Sequence, residues 1–183
     1  MRYEVEPDIA WFGKALGNGY AISAIIGKAS VMNHAQDSFI SSTFWTERIG
    51  SVAALKTIEI MERDSVPEFL VQKGQKISRK WLEIGKKYNL SIKVFGLPTL
   101  THFSFNSKDE LKYKTFITQE MLKKGFLATN SVYVSIEHKS KIVDEYFNEL
   151  SPIFTTIAEC ENGRNIDELL DGPVCHAGFG RLT

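Results

Sequence analysis

The chain has 183 residues, of which 43% are hydrophobic, a length that suits one globular domain or one and a half. Its 22 Lys and Arg residues balance its 22 Asp and Glu residues, so no net field favours nucleic acid, anionic lipid or an acidic protein as a partner. Cys160 and Cys175 lie in no motif with metal-ligand spacing, and no window approaches the roughly 18 apolar residues of a membrane span, so we expect no metal site, no membrane association and a cytoplasmic location.

Two apolar segments flank a lysine near the start of the chain. Residues 9–12 form a short continuous apolar run, which is typical of a strand buried on both faces. Lys14 follows, and the sequence Gly-Asn-Gly at 17–19 predicts a turn, because glycine adopts positive φ at little cost. Residues 21–27 are predicted to form a second buried strand. A lysine at the end of a buried strand is a candidate nucleophile, since desolvation disfavours the ammonium form.

Two helices are predicted in the middle of the chain. Residues 30–46 are irregular and contain hydroxyl side chains at 41–43 that can donate hydrogen bonds from a loop. From residue 47 to about residue 63, apolar residues recur near a 3.6-residue period, and Thr46 is the expected N-cap. A capping box, with Ser at its start and Glu three residues later, then predicts a second helix over 65–88.

The remaining sequence predicts a complete small α/β domain. His102 within a strand and His138 near a helix start are interpreted as structural residues. We therefore predict a first domain at 1–64, a linking helix at 65–88 and a second domain at 89–183. The predicted elements of the second domain are strands at 92–95 and 100–105, a helix at 109–124 that ends at Gly125, a short strand within 127–136 and a helix at 139–160.

The first half is too short to bury its own strands. Strands that are apolar on both faces need a layer of structure on each side. The sequence before residue 65 offers only one long helix besides the two strands. We therefore expect a truncated part of a larger domain, with apolar surface exposed.

The sequence around Lys14 resembles a known family. Residues 7–28, PDIAWFGKALGNGYAISAIIGK, are similar to the active-site lysine segment of class III aminotransferases, whose pattern is close to PDxxxxGKxxGxGxPxxA. The resemblance implies an α/β pyridoxal-phosphate (PLP) transferase fold of type I, with Lys14 as the catalytic, cofactor-binding lysine. A lysine amine can condense with the PLP aldehyde and later move a proton on the substrate carbon. Ala21 stands where this family usually has proline.

A second segment extends the resemblance. Residues 41–55, SSTFWTERIGSVAAL, are similar to the segment whose threonine contacts the cofactor phosphate across a dimer interface. Thr43 takes that position, so the resemblance implies a cofactor-binding Thr43 and a homodimer in the full-length protein. A hydroxyl ahead of a helix suits phosphate, which accepts hydrogen bonds from hydroxyl and N–H groups. Residues 45–48 depart from the glycine-asparagine-proline turn that the family often has there.

The end of the chain places the resemblance within one branch. Residues 169–183, LLDGPVCHAGFGRLT, look like the C-terminus of the glutamate-1-semialdehyde-aminomutase-like branch. In this family the aspartate for the pyridine nitrogen and the phosphate-binding loop precede the lysine, and only 13 residues precede Lys14. The resemblance thus implies the C-terminal portion of an enzyme that moves an amino group from a small donor to a carbonyl acceptor, as a transaminase or an aminomutase, and that is inactive as this portion alone.

Two other interpretations stay open at the level of sequence. The chain could be a non-catalytic interaction module that docks on a partner chain through an exposed sheet edge. It could also be one half of a split enzyme whose other half is encoded separately.

Overall fold

A computed structural model describes residues 4–178 of the chain. The backbone divides into two compact units, of which the first ends at Val66 and the second begins at Pro67. The last five residues of the C-terminal motif, 179–183, lie outside the described residues. None of the helices within residues 4–178 is long and apolar enough to cross a bilayer.

The first unit is built on a two-stranded ribbon. Strand β1 (Ile9–Phe12) pairs antiparallel with β2 (Ala24–Gly27), with Ile9 opposite Gly27 and Phe12 opposite Ala24. Both predicted strands are confirmed, although β2 is three residues shorter than the sequence predicts. The ribbon is followed by helix α1 (Ala29–Met32), a 3₁₀ turn (Asn33–Asp37) and helix α2 (Arg48–Arg63).

The ribbon is exposed on both faces, so the prediction of buried strands is wrong for the described residues. Trp11 is 78% exposed and Phe12, whose side chain points to the opposite face, is 48% exposed. On β2, Ile25 and Ile26 are exposed in the same alternating way. The apolar run is typical of a buried strand, but residues 4–66 do not cover it. The expectation of exposed apolar surface is therefore confirmed.

Helix α2 begins one residue later than the sequence predicts and has a different cap. The Glu47 carboxylate accepts hydrogen bonds from the backbone N–H groups of Ile49 at 2.9 Å and Gly50 at 3.2 Å. Thr46, the expected N-cap, lies in the preceding turn. A carboxylate can accept from two N–H groups at once and is favoured by the helix dipole, which explains why Glu47 takes the cap.

The second unit is a three-stranded antiparallel sheet with three long helices. The strand order is β3-β4-β5, with β4 in the centre. The predicted elements are confirmed with small shifts at their ends. In chain order they are helix α3 (Val66–Lys87), strands β3 (Ile92–Leu97) and β4 (Leu100–Phe105), helix α4 (Glu110–Lys123), strand β5 (Ser131–Tyr133) and helix α5 (Ser140–Glu161). A 3₁₀ turn (Ile166–Leu169), which the sequence does not predict, follows α5.

An aromatic core joins the sheet of the second unit to its helices. Trp81 of α3 is fully buried, and its ring centroid lies 4.7 Å from that of Phe103 on β4. Phe103 in turn lies 6.0 Å from Phe154 on α5. The Trp81 indole N–H donates to the Tyr146 hydroxyl at 3.0 Å, so the buried polar groups of this pair are satisfied. Helix α3 therefore contributes its apolar face to the core of the second unit.

The β3–β4 turn lies against the backbone of α3. A Cβ atom at Gly74 would lie 1.6 Å from the carbonyl oxygen of Pro98. Gly96 has a φ of +95°, which permits the sharp reversal before β4. Gly74 therefore lets the helix and the hairpin approach more closely than a side chain would allow.

Candidate functional site

Lys14 lies at the end of β1 in an unusual backbone conformation. It opens the short 3₁₀ turn Lys14–Leu16 and has a φ of +48°. A positive φ is uncommon for a residue with a bulky side chain, and such strain costs about 1–3 kcal/mol where the surrounding structure imposes it. Its side chain is exposed. The chain therefore holds this lysine in a defined, strained position and leaves its amine accessible.

The turn after Lys14 is held by backbone hydrogen bonds. The N–H of Leu16 donates to the carbonyl of Gly13 at 3.1 Å, and the N–H of Gly17 donates to the carbonyl of Lys14 at 3.2 Å. Gly19 has a φ of +106°, as the Gly-Asn-Gly turn predicts. A Cβ atom at Gly17 would lie 2.2 Å from the carbonyl oxygen of Tyr20. The glycines of this motif thus serve the geometry of the turn that fixes Lys14.

Thr43 lies in the turn that precedes α2, and its side chain is exposed. The turn is closed by a hydrogen bond from the N–H of Glu47 to the carbonyl of Phe44 at 3.1 Å. The first turn of α2 in turn packs against the segment after Lys14, because a Cβ atom at Gly50 would lie 2.9 Å from the carbonyl oxygen of Ala21. Helix α2 also contacts the 3₁₀ turn that carries Lys14. The two predicted site segments therefore border the same helix.

This packing between α2 and the Lys14 turn is a feature that sequence reasoning missed. The close approach depends on Gly50. A glycine in the first turn of a helix does not indicate which residue will pack against it, so the contact with Ala21 could not be predicted. The resemblance identifies Lys14 and Thr43 as two separate residues. The structure adds that helix α2 contacts the turn that carries Lys14.

The charges near Lys14 distinguish it from the next lysine of the ribbon. Lys28 pairs with Asp8 at 2.7 Å across the open end of the two strands. Lys14 takes no part in the ion pairs found among residues 4–178. Because Lys14 is exposed, the desolvation expected from a buried strand end is not supplied by the described residues.

The histidines and cysteines of the second unit have structural surroundings. His138 Nδ1 accepts a hydrogen bond from the N–H of Ser135 at 2.9 Å. The His102 ring stacks on Phe95 with centroids 5.5 Å apart. Cys160 is free, as is Cys175. Within residues 4–178, no three His, Cys, Asp or Glu side chains are grouped so that they could hold a metal ion.

The sequence matches one protein family over most of its length. Residues 1–154 match the family model for class-III aminotransferases. The chain therefore belongs to the class III aminotransferase family, which consists of PLP-dependent aminotransferases and aminomutases.

Individual relatives support the same assignment. The chain is 36% identical over 118 residues to 3-aminobutyryl-CoA aminotransferase of Cloacimonas acidaminovorans, a match that covers 64% of this chain and 28% of the relative. It is 30% identical over 167 residues to acetylornithine aminotransferase of Methanocaldococcus jannaschii, covering 85% of this chain and 39% of the relative. Glutamate-1-semialdehyde 2,1-aminomutase of Methanococcus maripaludis is 26% identical over 165 residues, covering 81% of this chain and 38% of the relative.

A solved structure confirms the predicted fold. The FumI protein of Sphingopyxis sp. MTA144, in its PLP internal aldimine form, superimposes with a TM-score of 0.79 at 22% identity. The match covers 88% of this chain and 40% of FumI. The chain thus has the α/β fold of part of a type I PLP-dependent transaminase. It spans well under half of the length of the relatives that it matches.

Proposed function

We propose that this chain supplies the lysine of a PLP-dependent aminotransferase or aminomutase site, with Lys14 as the catalytic residue. The observation that carries the proposal is the conformation of Lys14, which follows β1 in a strained turn with its side chain exposed. The resemblance of residues 7–28 to the active-site lysine segment of the family supports its assignment as the cofactor-binding lysine. Strained backbone positions cluster at functional sites, where a fixed geometry contributes to function.

The described residues fit PLP at two points. The Lys14 amine would hold the cofactor at its aldehyde carbon, and the Thr43 hydroxyl would donate a hydrogen bond to a phosphate oxygen of the cofactor bound by the second copy of a dimer. When bound, PLP supplies an electron sink for the substrate carbon. Lys14 would transfer the proton at that carbon, and the rigid turn after β1 would keep its amine in place.

The site needs further polypeptide to become complete. Both faces of the ribbon next to Lys14 expose large apolar side chains such as Trp11 and Phe12, which a larger α/β domain would cover. The relatives have the additional length that such a domain requires. We therefore propose that residues 1–64 belong to a larger cofactor domain, that 65–88 link it to the small domain at 89–183, and that this chain alone is inactive.

The proposal extends to substrates, assembly and location. A small amine donor and a carbonyl acceptor are the substrates that an aminotransferase requires. The whole protein is proposed to be a homodimer, since Thr43 matches a residue that reaches the cofactor of the partner subunit in this family. A cytoplasmic location is proposed because Cys160 and Cys175 are both free, as thiols are in a reducing compartment.

A second candidate function is a non-catalytic interaction module. The exposed apolar ribbon favours it as well, because large exposed apolar surfaces mark sites of protein association. The two functions differ in whether Lys14 reacts with PLP once the ribbon is covered.

Co-expression with a complementary half would test the proposal. The partner would be the part of the M. jannaschii relative that precedes the matched region, and the readout would be the visible absorbance of bound PLP in the purified complex. We expect absorbance from the complex and none from the chain alone. Lys14→Arg should remove it, whereas Lys28→Arg, a matched change on the same ribbon, should not. A folded complex without absorbance would contradict the enzyme proposal and favour the interaction module.

A further inference from the structure

The turn that follows Lys14 carries an asparagine-glycine bond at its tip. The N–H of Tyr20 donates to the carbonyl of Gly17 at 3.1 Å, which closes a tight turn around Asn18 and Gly19. Both central residues have a positive φ, of +46° at Asn18 and +106° at Gly19, as in a type I′ turn. The turn therefore presents the peptide bond between Asn18 and Gly19 away from the ribbon.

This asparagine-glycine pair is exposed and unrestrained. A Cβ atom at Gly19 would meet nothing within 4 Å, and glycine has no side chain that hinders approach to its nitrogen. The hydrogen bonds found among residues 4–178 give no partner to the Gly19 N–H or to the side-chain amide of Asn18. The Gly19 nitrogen and the amide carbon of Asn18 are therefore free to approach each other.

A second asparagine-glycine pair, Asn162 and Gly163, follows helix α5 and is held by two hydrogen bonds. The N–H of Gly163 donates to the carbonyl of Cys160 at 3.1 Å. The side-chain amide of Asn162 donates to the carbonyl of Ala158 at 2.7 Å. Both hydrogen bonds must break before the Gly163 nitrogen can reach the amide carbon of Asn162. The chain thus contains one unrestrained pair and one restrained pair of the same two residue types.

We propose that Asn18 is a site of spontaneous deamidation, at which water converts it to aspartate and isoaspartate. The Gly19 nitrogen, once deprotonated, forms a bond to Cγ of Asn18, and the Nδ2 group leaves as ammonia. Water then opens the resulting succinimide ring. Attack at Cγ gives aspartate, and attack at the backbone carbonyl carbon gives isoaspartate, in which the main chain runs through Cβ and Cγ. The inference goes beyond the proposed function, because neither PLP nor Lys14 takes part in the reaction.

The reaction alters the turn that carries Lys14. Both products place a carboxylate at position 18, and a carboxylate is ionised at neutral pH. Aspartate tolerates a positive φ much as asparagine does, so it can keep the turn. Isoaspartate adds a methylene to the main chain before Gly19, and we expect the hydrogen bond from Tyr20 to Gly17 to be lost. Isoaspartate is therefore the product that disturbs the backbone next to Lys14.

Incubation of the full chain at mildly alkaline pH, followed by digestion and mass spectrometry, would compare the two pairs. We expect Asn18 to be converted at least about tenfold faster than Asn162, because two hydrogen bonds must first break at the second pair. Electron-transfer fragmentation should identify isoaspartate at position 18. The rate should rise with pH, since the attacking nitrogen must lose its proton.

Two controls separate the structure from the residue types. Asn18→Gln should abolish conversion at position 18 and leave Asn162 unchanged, because the longer side chain closes a ring far more slowly. In urea, where the restraints on Asn162 are removed, the two asparagines should be converted at similar rates.

Three results would overturn the proposal. The first is an Asn18 that is converted no faster than Asn162 in the native chain. The second is a rate difference that persists in urea, since it would then arise from the neighbouring sequence and not from the hydrogen bonds. The third is conversion of Asn18 to aspartate without isoaspartate, which would exclude the ring.

Discussion

The close contact between Gly74 and Pro98 predicts that a larger residue at position 74 destabilises the chain. A Cβ atom at Gly74 would lie 1.6 Å from the Pro98 carbonyl oxygen and 2.6 Å from its carbonyl carbon, which are backbone atoms. Overpacking typically costs about 1–3 kcal/mol, whereas replacing Gly by Ala inside a helix gains about 1 kcal/mol. Because a backbone cannot rotate away as a side chain can, we expect the cost near its upper end. Gly74→Ala should therefore lower the free energy of unfolding by about 1–2 kcal/mol.

Gly85→Ala is the matched control on the same helix. Its Cβ would lie 2.8 Å from both Cδ1 and Cγ1 of Ile92, and a side chain can shift where the Pro98 carbonyl cannot. We therefore expect Gly85→Ala to lose less stability than Gly74→Ala, by about 1 kcal/mol. Urea unfolding followed by the fluorescence of Trp81 measures both variants, since Trp81 is buried in the second unit while Trp11 is exposed. A Gly74→Ala chain as stable as Gly85→Ala would refute the reasoning.

Three further changes test local features of the chain. Tyr146→Phe removes the hydroxyl that accepts from the buried Trp81 N–H and should cost about 1–3 kcal/mol in urea unfolding; unchanged stability would argue against that hydrogen bond. Glu47→Ala removes the cap of α2 and should cost about 0.5–2 kcal/mol, seen as faster amide hydrogen exchange in the first turn; unaltered exchange would contradict it. The hydrogen bond with Ser151 lowers the pKa of Tyr88 to about 8, so the stability that Tyr88 contributes is full above about pH 10 and is lost as the pH falls through about 8. The chain has six tyrosines. The phenolate absorbance should therefore show a separate step with a midpoint near pH 8 that is absent in Tyr88→Phe, and a parent chain without that step would exclude the shift.

Much of the second unit could be predicted because its apolar residues repeat with a clear period. The 3.6-residue repeat of apolar residues extends over the whole of α5 and predicts a start at residue 139, one residue before the observed Ser140. Burial of β1 could not be predicted, because an apolar run records the environment of a strand in a complete domain and not in this chain. Thr46 is a good N-cap by residue type, but the cap depends on which side chain reaches the free N–H groups, and Glu47 reaches two.

The candidate site was predictable only where a motif marks it. The resemblance points to Lys14 and Thr43, yet neither the positive φ of Lys14 nor the packing of Gly50 against Ala21 leaves a pattern in the sequence. Sites assembled from separate elements have no spacing that a sequence can show.

The most direct test of the account is to map where PLP reacts in the complex with the complementary half. The complex would be loaded with PLP, reduced with borohydride and digested, and the modified peptides would be located by mass spectrometry. The account predicts stoichiometric modification at Lys14, whose amine is accessible at the end of β1. An unmodified Lys14, with reaction scattered over exposed lysines such as Lys28, would contradict it.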